Sequence, residues 1–410
     1  MERWGDRLTV ALAFTLGVAG CGSGAALHGD GGLGGPGGAG ATGTGGGSGP
    51  GTGGAPGTGG AAGVKGSGGT KGGMEGGTGG AAGAKGSGGT GGASACGGET
   101  NHCAGTMTGP WCVDKFLTTD TMSPTFTGVW SDGSANVWAV GTRQSPTSSS
   151  ENGFVFHWNG CSWTPSPVAT TAGLNDVWGA SANDIWIVGT GGTALHWNGS
   201  AWSAVATGTA ESLTNVSGSA ADDVWAIGLS GVIHWNGNAW SPSPGGTTPN
   251  PQNDGFIGDI WAVAPNDVWV AQGTNLPGTV SHFDGTTWTP TMVVPNSPFQ
   301  VFGIWAAPSG IAWAVGEGSD TYQLVRDGWA QIGPSGGSAE GLLNVMAVSG
   351  DIWAVGQTVT HSSDGVMFGR DSDAPSGFYT GLWVTATQVW VGGDENGAAG
   401  SGAVILHRAR

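Results

Sequence analysis

Three features of the sequence predict an all-β fold built as a ring of repeats. A phrase of four short apolar runs separated by turn signals recurs seven times, and its clearest copy runs from Leu174 to Val205. One tryptophan holds the same place in every copy, at Trp138, Trp186, Trp225, Trp269, Trp313, Trp353 and Trp390, and the six steps from first to last average 42 residues. The phrase carries no helical period. Four antiparallel strands in about 40 residues are the size of one propeller blade. The prediction is a seven-bladed β-propeller of four-stranded antiparallel blades, preceded by a disordered Gly-rich linker.

Each strand of the phrase has its own signal. The first carries a Trp that recurs as Trp130, Trp178, Trp261, Trp305 and Trp383, with Ser217 and Met346 in the other two copies. Ala182-Asn183-Asp184 turns the chain into Ile185-Trp186-Ile187-Val188-Gly189, which is continuously apolar, as a strand buried on both faces should be. Gly191-Gly192 breaks the chain before the third run, Ala194-Leu195-His196-Trp197. Asn198-Gly199 then offers the two positive-φ residues of a two-residue hairpin, repeated as Asn159-Gly160, Asn236-Gly237, Asp284-Gly285 and Asp327-Gly328. A fourth-strand Trp follows at Trp163, Trp202, Trp240, Trp288 and Trp329.

The last copy stops after a third strand, Ala403 to Arg408, while Gly109-Pro110-Trp111-Cys112-Val113 has the Trp of a fourth strand and lies just before the first copy. Joining the two would close the ring and remove its exposed sheet edge. Four cysteines follow Cys21, namely Cys96, Cys103, Cys112 and Cys161. An even count in an exported domain reads as two disulfides with three pairings open, of which Cys103–Cys112 with Cys96–Cys161 is preferred. No matching His pair supports a zinc site.

Residues 1–20 read as a secretion signal, because Leu8 to Gly20 is apolar yet too short to span a bilayer and Arg3 and Arg7 mark the basic end. Val18-Ala19-Gly20-Cys21 resembles the lipobox of bacterial lipoproteins. That resemblance implies a diacylglyceryl thioether and an N-acyl chain on Cys21, and more than one chain makes an anchor stable. Gly22, where Asp would mark inner-membrane retention, implies the outer membrane or cell surface. Residues 21–95 then form a tether too poor in apolar side chains to offset chain entropy. Such a coil spans on the order of 50 Å.

Residues 96–410 form a single propeller domain carrying 24 acidic and 6 basic residues, a net charge of −18. This field repels nucleic acid, which is excluded as a partner. No Walker loop, HExxH or nucleophile elbow is present, and no cofactor or metal is expected.

Repeated polar residues read as structural. His157, His196, His234, His282 and His407 hold one place on different blades, so the ring keeps them apart. Asp184, Asp223, Asp267 and Asp351 precede the second strand and suit turns in which an Asx side chain bonds the backbone. Sites are sought where symmetry breaks, at insertions 144–152, 245–254, 275–278, 318–322, 371–377 and 394–402. Asp371-Ser372-Asp373 and Asp394-Glu395-Asn396 offer oxygen ligands for Ca²⁺ but lack the spacing of a known loop. A sialidase would need three arginines and a tyrosine; the domain has Arg143, Arg326, Arg370, Arg408 and Arg410 with Tyr322 and Tyr379, and no Arg-Ile-Pro segment.

The stretch from Asp223-Val224-Trp225 to Asn236-Gly237-Asn238-Ala239-Trp240 resembles tectonin-type propeller repeats, and looks like the Asp-box (BNR-like) repeats of sialidase-like and photosystem-assembly propellers. Ser362-Ser363-Asp364-Gly365 departs from the Asp-box spacing. The resemblance implies recognition of a glycan or bacterial surface component. The expectation is a surface-anchored binding or scaffold propeller for a glycan or protein ligand, touching the membrane only through its lipid and without catalysis. The alternative is a polysaccharide-active hydrolase or lyase using carboxylates near the ring axis.

Overall fold

A computed structural model describes residues 103–410 except 117–122, 134, 145–150, 229–230, 246–248, 250–255, 274–277, 294–299, 327, 333–340, 367 and 396–401. The signal segment, Cys21, the tether and Cys96 lie outside the described residues.

Seven antiparallel sheets form a ring. Blades 1 to 6 span residues 123–165, 174–204, 213–242, 256–292, 301–331 and 342–370, each with four strands in chain order. Blade 7 takes its first three strands from Gly377–Val384, Gln388–Glu395 and Ala403–Ala409, and its fourth from Trp111–Phe116. The innermost strand of each blade packs on that of the next, and Gly377–Val384 packs on Ser123–Ser131 to complete the circle.

Blade 7 also has a fifth strand that the repeat does not foresee. Gly109, with φ 57°, turns the chain so that Thr106–Thr108 pairs with Trp111–Val113, and a disulfide joins Cys103 to Cys112. The hairpins differ from expectation as well. Asn198 to Ala201 make a four-residue connection in which Gly199 has positive φ and Asn198 does not. The Asn198 Oδ1 accepts the amides of Ser200 and Ala201 at 3.0 Å each, so the side chain closes the turn that a second positive-φ residue would otherwise have made.

Every innermost strand carries a register shift at the same place, before Gly128, Asp176, Asn215, Asp259, Gly303, Asn344 and Gly381. The bulged residue is aimed out of the ladder. Thr127 donates to the Leu174 carbonyl at 2.8 Å, Asn175 to that of Leu213 at 2.7 Å, and Thr380 to that of Phe126 at 3.0 Å. Each bond joins one blade to the next.

Indoles wedge the blades apart at constant spacing. Each second-strand Trp is met by an aromatic ring from the following blade. The pairs are Trp138–Trp202, Trp186–Trp240, Trp225–Trp288, Trp269–Trp329, Trp353–Trp111 and Trp390–Trp163, with centroids 5.3–6.5 Å apart and planes at 82–90°. This is the edge-to-face geometry that the ring quadrupole favours. Blade 6 has no outer Trp, and Phe368 takes its place 5.7 Å from Trp313. Trp186 is fully buried. Trp186→Ala is expected to cost about 3–5 kcal/mol, read as a lowered midpoint in chemical denaturation.

Candidate functional site

The repeated histidines and aspartates are partners. Six blades stack a third-strand His flat on the second-strand Trp, with centroids 4.0–4.4 Å apart at His157, His196, His234, His282, His361 and His407. His196, His234 and His282 bond Asp184, Asp223 and Asp267 at 2.8–3.0 Å through Nε2. The Asx-turn expectation for these acids is corrected: each reaches across to its blade's imidazole. Asn136 holds His157 in blade 1, and Asp114 of the closing strand lies 3.4 Å from His407 in blade 7. His361 joins the set although blade 6 lacks the Trp-Asn-Gly hairpin that follows His157, His196 and His234. Burial pushes Asp223 up, but hydrogen bonds from His234, Ser219 and Trp225 together outweigh it and hold the carboxyl below its ordinary value. Burial lowers His157 and His361.

Other candidates are similarly engaged. Asp371 accepts from Trp111 Nε1 at 3.1 Å and from Arg408 at 3.0 Å, and Glu395 binds Lys115 at 2.7 Å. Arg410 clamps Asp351 and the Val348 carbonyl, and Arg143 lies over Phe154. Tyr379 donates to the Pro375 carbonyl and Tyr322 to Asp320. Arg143, Arg408 and Arg410 are thus each engaged by partners of their own. Cys161 is also disulfide-bonded, to a partner outside the described residues.

The axis holds what the repeat analysis could not name. Two residues before each first-strand Trp position, the seven blades place Gly128, Asp176, Asn215, Asp259, Gly303, Asn344 and Gly381 in one layer. The signal was the period of two from the Trp, which puts both residues on the same face of the strand. A Cβ on Gly128 would stand 2.7 Å from Asp176 Oδ1, so the glycine makes room for its neighbour's carboxylate. Val216 N–H donates to Asp176 Oδ2 at 2.9 Å, and Ile304 N–H to Asp259 Oδ2 at 3.2 Å, each from the following blade. Asn344 donates to the Thr380 carbonyl at 3.5 Å. The layer above holds the first-strand indoles, where Trp261 reaches across the axis to within 6.1 Å of Trp383. Between the layers lies a small space, with room for about two water molecules and partly open to solvent, lined by Asp176, Asp259, Asn344, Trp178, Trp261 and Trp383 among others.

Burial dominates the two acids. It pushes Asp176 up to about 8 and Asp259 up to about 7, against the pull of the backbone amides, and the charge of Asp259 raises Asp176 further.

No protein-family model matches the chain, and no curated protein matches it in sequence. Solved structures do match in shape. "YCF48 bound to D1 peptide" has TM-score 0.55 at 15% identity over 75% of this chain and 98% of that one. Virginiamycin B lyase from Staphylococcus aureus has TM-score 0.54 at 13% identity over 73% and 99%. The RRP9 WD40 repeats have TM-score 0.55 at 10% identity over 73% and 97%. At these identities the likeness is one of fold, and it extends over the whole ring.

The axial acids tie stability to pH. The folded chain keeps protons on Asp176 and Asp259 up to about 8 and about 7, whereas the ordinary value is 3.8. The fold thus binds more protons than the unfolded chain, and these groups lose stability as pH rises through that window. The melting temperature should fall from about pH 5 to about pH 8.5. The double variant Asp176→Asn, Asp259→Asn should flatten the slope.

Proposed function

We propose that the protein is a lipid-anchored binding or scaffold propeller at the cell surface, recognising a protein or glycan ligand without catalysis. One observation carries the reading: the insertions all fall on one face of the ring. Segments 144–152, 275–278, 318–322 and 394–402 join second strands to third, while 245–254 and 371–377 join one blade to the next. Both kinds of connection leave the sheets at the same end. The opposite end turns through two residues in blades 2, 3, 4 and 6, at Ala182-Asn183, Ala221-Asp222, Pro265-Asn266 and Ser349-Gly350. Variable connections on a rigid ring are where recognition resides. A similarly folded protein is bound to a peptide, which supports a polypeptide ligand here.

A hydrolase or lyase reading is favoured by the raised pKa values of Asp176 and Asp259, since general acids need such shifts. Against it, both carboxylates already accept backbone amides. Turnover of polysaccharide that disappears in Asp176→Asn or Asp259→Asn would move the assignment to this class.

The full chain, applied to a glycan array and a peptide array, is expected to bind one class saturably. Glu317→Arg with Asp373→Arg, both exposed on the insertion face, should weaken binding at least about tenfold. Asp284→Arg on the opposite face should not. Loss through Asp284→Arg alone would overturn the choice of face. Mass spectrometry of the mature protein should find acylated Cys21, and an unmodified terminus there would remove the anchor.

A further inference from the structure

The dipeptide Asn-Gly occurs at Asn152, Asn159, Asn198 and Asn236 among the described residues, and the fold treats the first unlike the others. In the three hairpins the asparagine Oδ1 accepts two backbone amides. They come from Cys161 and Ser162 to Asn159 at 3.0 and 3.1 Å, from Ser200 and Ala201 to Asn198 at 3.0 Å each, and from Asn238 and Ala239 to Asn236 at 3.1 Å each. Asn198 Oδ1 also accepts from the Ser200 hydroxyl at 2.8 Å. Among the described residues nothing bonds the Asn198 Nδ2 or the Gly199 N–H, and both residues are exposed. Asn152 lies instead within the strand Glu151–Trp158, where the Gly153 amide donates to the Ala172 carbonyl at 2.8 Å.

The hairpin at Asn198 holds the parts of an intramolecular acyl substitution. The backbone nitrogen after an asparagine can attack the side-chain carbonyl carbon and close a succinimide ring, and glycine leaves that nitrogen unshielded because it has no Cβ. The negative charge of the attack develops on Oδ1. Donors already aimed at an oxygen that becomes charged stabilise it without reorganising. At Asn198 three such donors are in place, more than at Asn159 or Asn236. The fold also demands the glycine, since Gly199 has φ 90° and a Cβ there would stand 2.8 Å from Asn183 Oδ1.

We infer that Asn198 is a self-modification site, where the folded hairpin converts asparagine to aspartate without an enzyme. The Gly199 nitrogen gives its proton to water and bonds Asn198 Cγ. The bond from Cγ to Nδ2 then breaks, and the nitrogen leaves as ammonia with a proton taken from solvent. Water adds at Cγ, the atom that the three donors polarise, and the bond from Cγ to the Gly199 nitrogen breaks as that nitrogen recovers a proton. The sum is amide plus water to carboxylate plus ammonium. The product suits the turn, because blade 4 carries Asp284 in the same place with its Oδ1 accepting the Thr286 and Thr287 amides at 2.8 Å each. The amides of Thr287 and Thr286 hold the Asp284 carboxyl below its ordinary value, so an ionised side chain is at home there. The reaction adds one negative charge to the face opposite the insertions and leaves the hairpin closed.

Timed incubation of the full chain at neutral pH, in native buffer and in urea, tests the assignment. Peptide mass spectrometry reads the amide-to-acid mass increase, with fragmentation that separates aspartate from isoaspartate. In native buffer Asn198 is expected to convert at least about tenfold faster than Asn152, which shares the dipeptide but has its glycine nitrogen bonded. Urea removes the fold and should bring the two rates together. Ser200→Ala takes away one donor and should slow Asn198 about threefold in native buffer, with no change in urea. Conversion of Asn152 as fast as Asn198 in native buffer, slower conversion of Asn198 there than in urea, or isoaspartate as the main product would overturn the inference. Should Ser200→Ala disturb the hairpin, the comparison of Asn198 with Asn152 in the unaltered protein still decides.

Discussion

The structure depends on an indole that no blade can bury alone. A second-strand Trp has its own blade's imidazole on one face and meets the next blade's aromatic edge on. Burying a ring of this size is worth several kcal/mol, and the edge contact adds about 0.5–1.5. Because each blade completes its neighbour, the ring has to close. Trp353 of blade 6 finds its edge partner in Trp111, which lies some 240 residues earlier in the chain but outermost in blade 7. The closing strand is therefore required twice, once by the open sheet edge and once by an unpaired indole.

The same demand engages the repeated polar residues. His196, His234 and His282 are clamped between an indole and an acid, and Asp184, Asp223 and Asp267 are occupied in return. Substitutions follow the same demand. Phe368 stands in for a missing Trp in blade 6, and Arg408 occupies the third-strand Trp position of blade 7, its guanidinium 5.5 Å over Trp111 and 5.6 Å over Trp353. An arginine can fill an aromatic slot because its planar head stacks on π faces. What remains outside this demand is the insertion face and the axis.

The ring, its count and its closing strand were legible because indoles and Asn-Gly turns recur at a fixed step, and local turn chemistry is written locally. The pairing of Asp184 with His196 was not, since it bridges two strands whose alignment emerges only when the sheet forms. His361 escaped because blade 6 replaces the Trp-Asn-Gly turn with Ser362 to Phe368. The bulge in every inner strand leaves no composition of its own: Thr, Asn, Gly, Phe and Leu all occupy it. Where it is Thr127, Asn175 or Thr380, its side chain answers to a carbonyl on the next blade, and nothing nearby in sequence records that.

The axial layer sharpens this into an argument about charge. Its seven places hold three glycines, two asparagines and two aspartates. Glycine admits the neighbouring backbone, and Asn344 shows that a neutral amide suffices to bond the next blade. Asparagine does not match the aspartates, because each carboxylate accepts two backbone N–H groups and an amide has only one acceptor oxygen, so the desolvation cost of the acid is offset by bonds an amide cannot make. The aspartates sit in blades 2 and 4, flanking Asn215 of blade 3, and glycines hold the adjoining places in blades 1 and 5 as well as that in blade 7. The two aspartates stitch their blades by accepting an amide on each oxygen, a pattern that neither glycine nor a donating asparagine supplies.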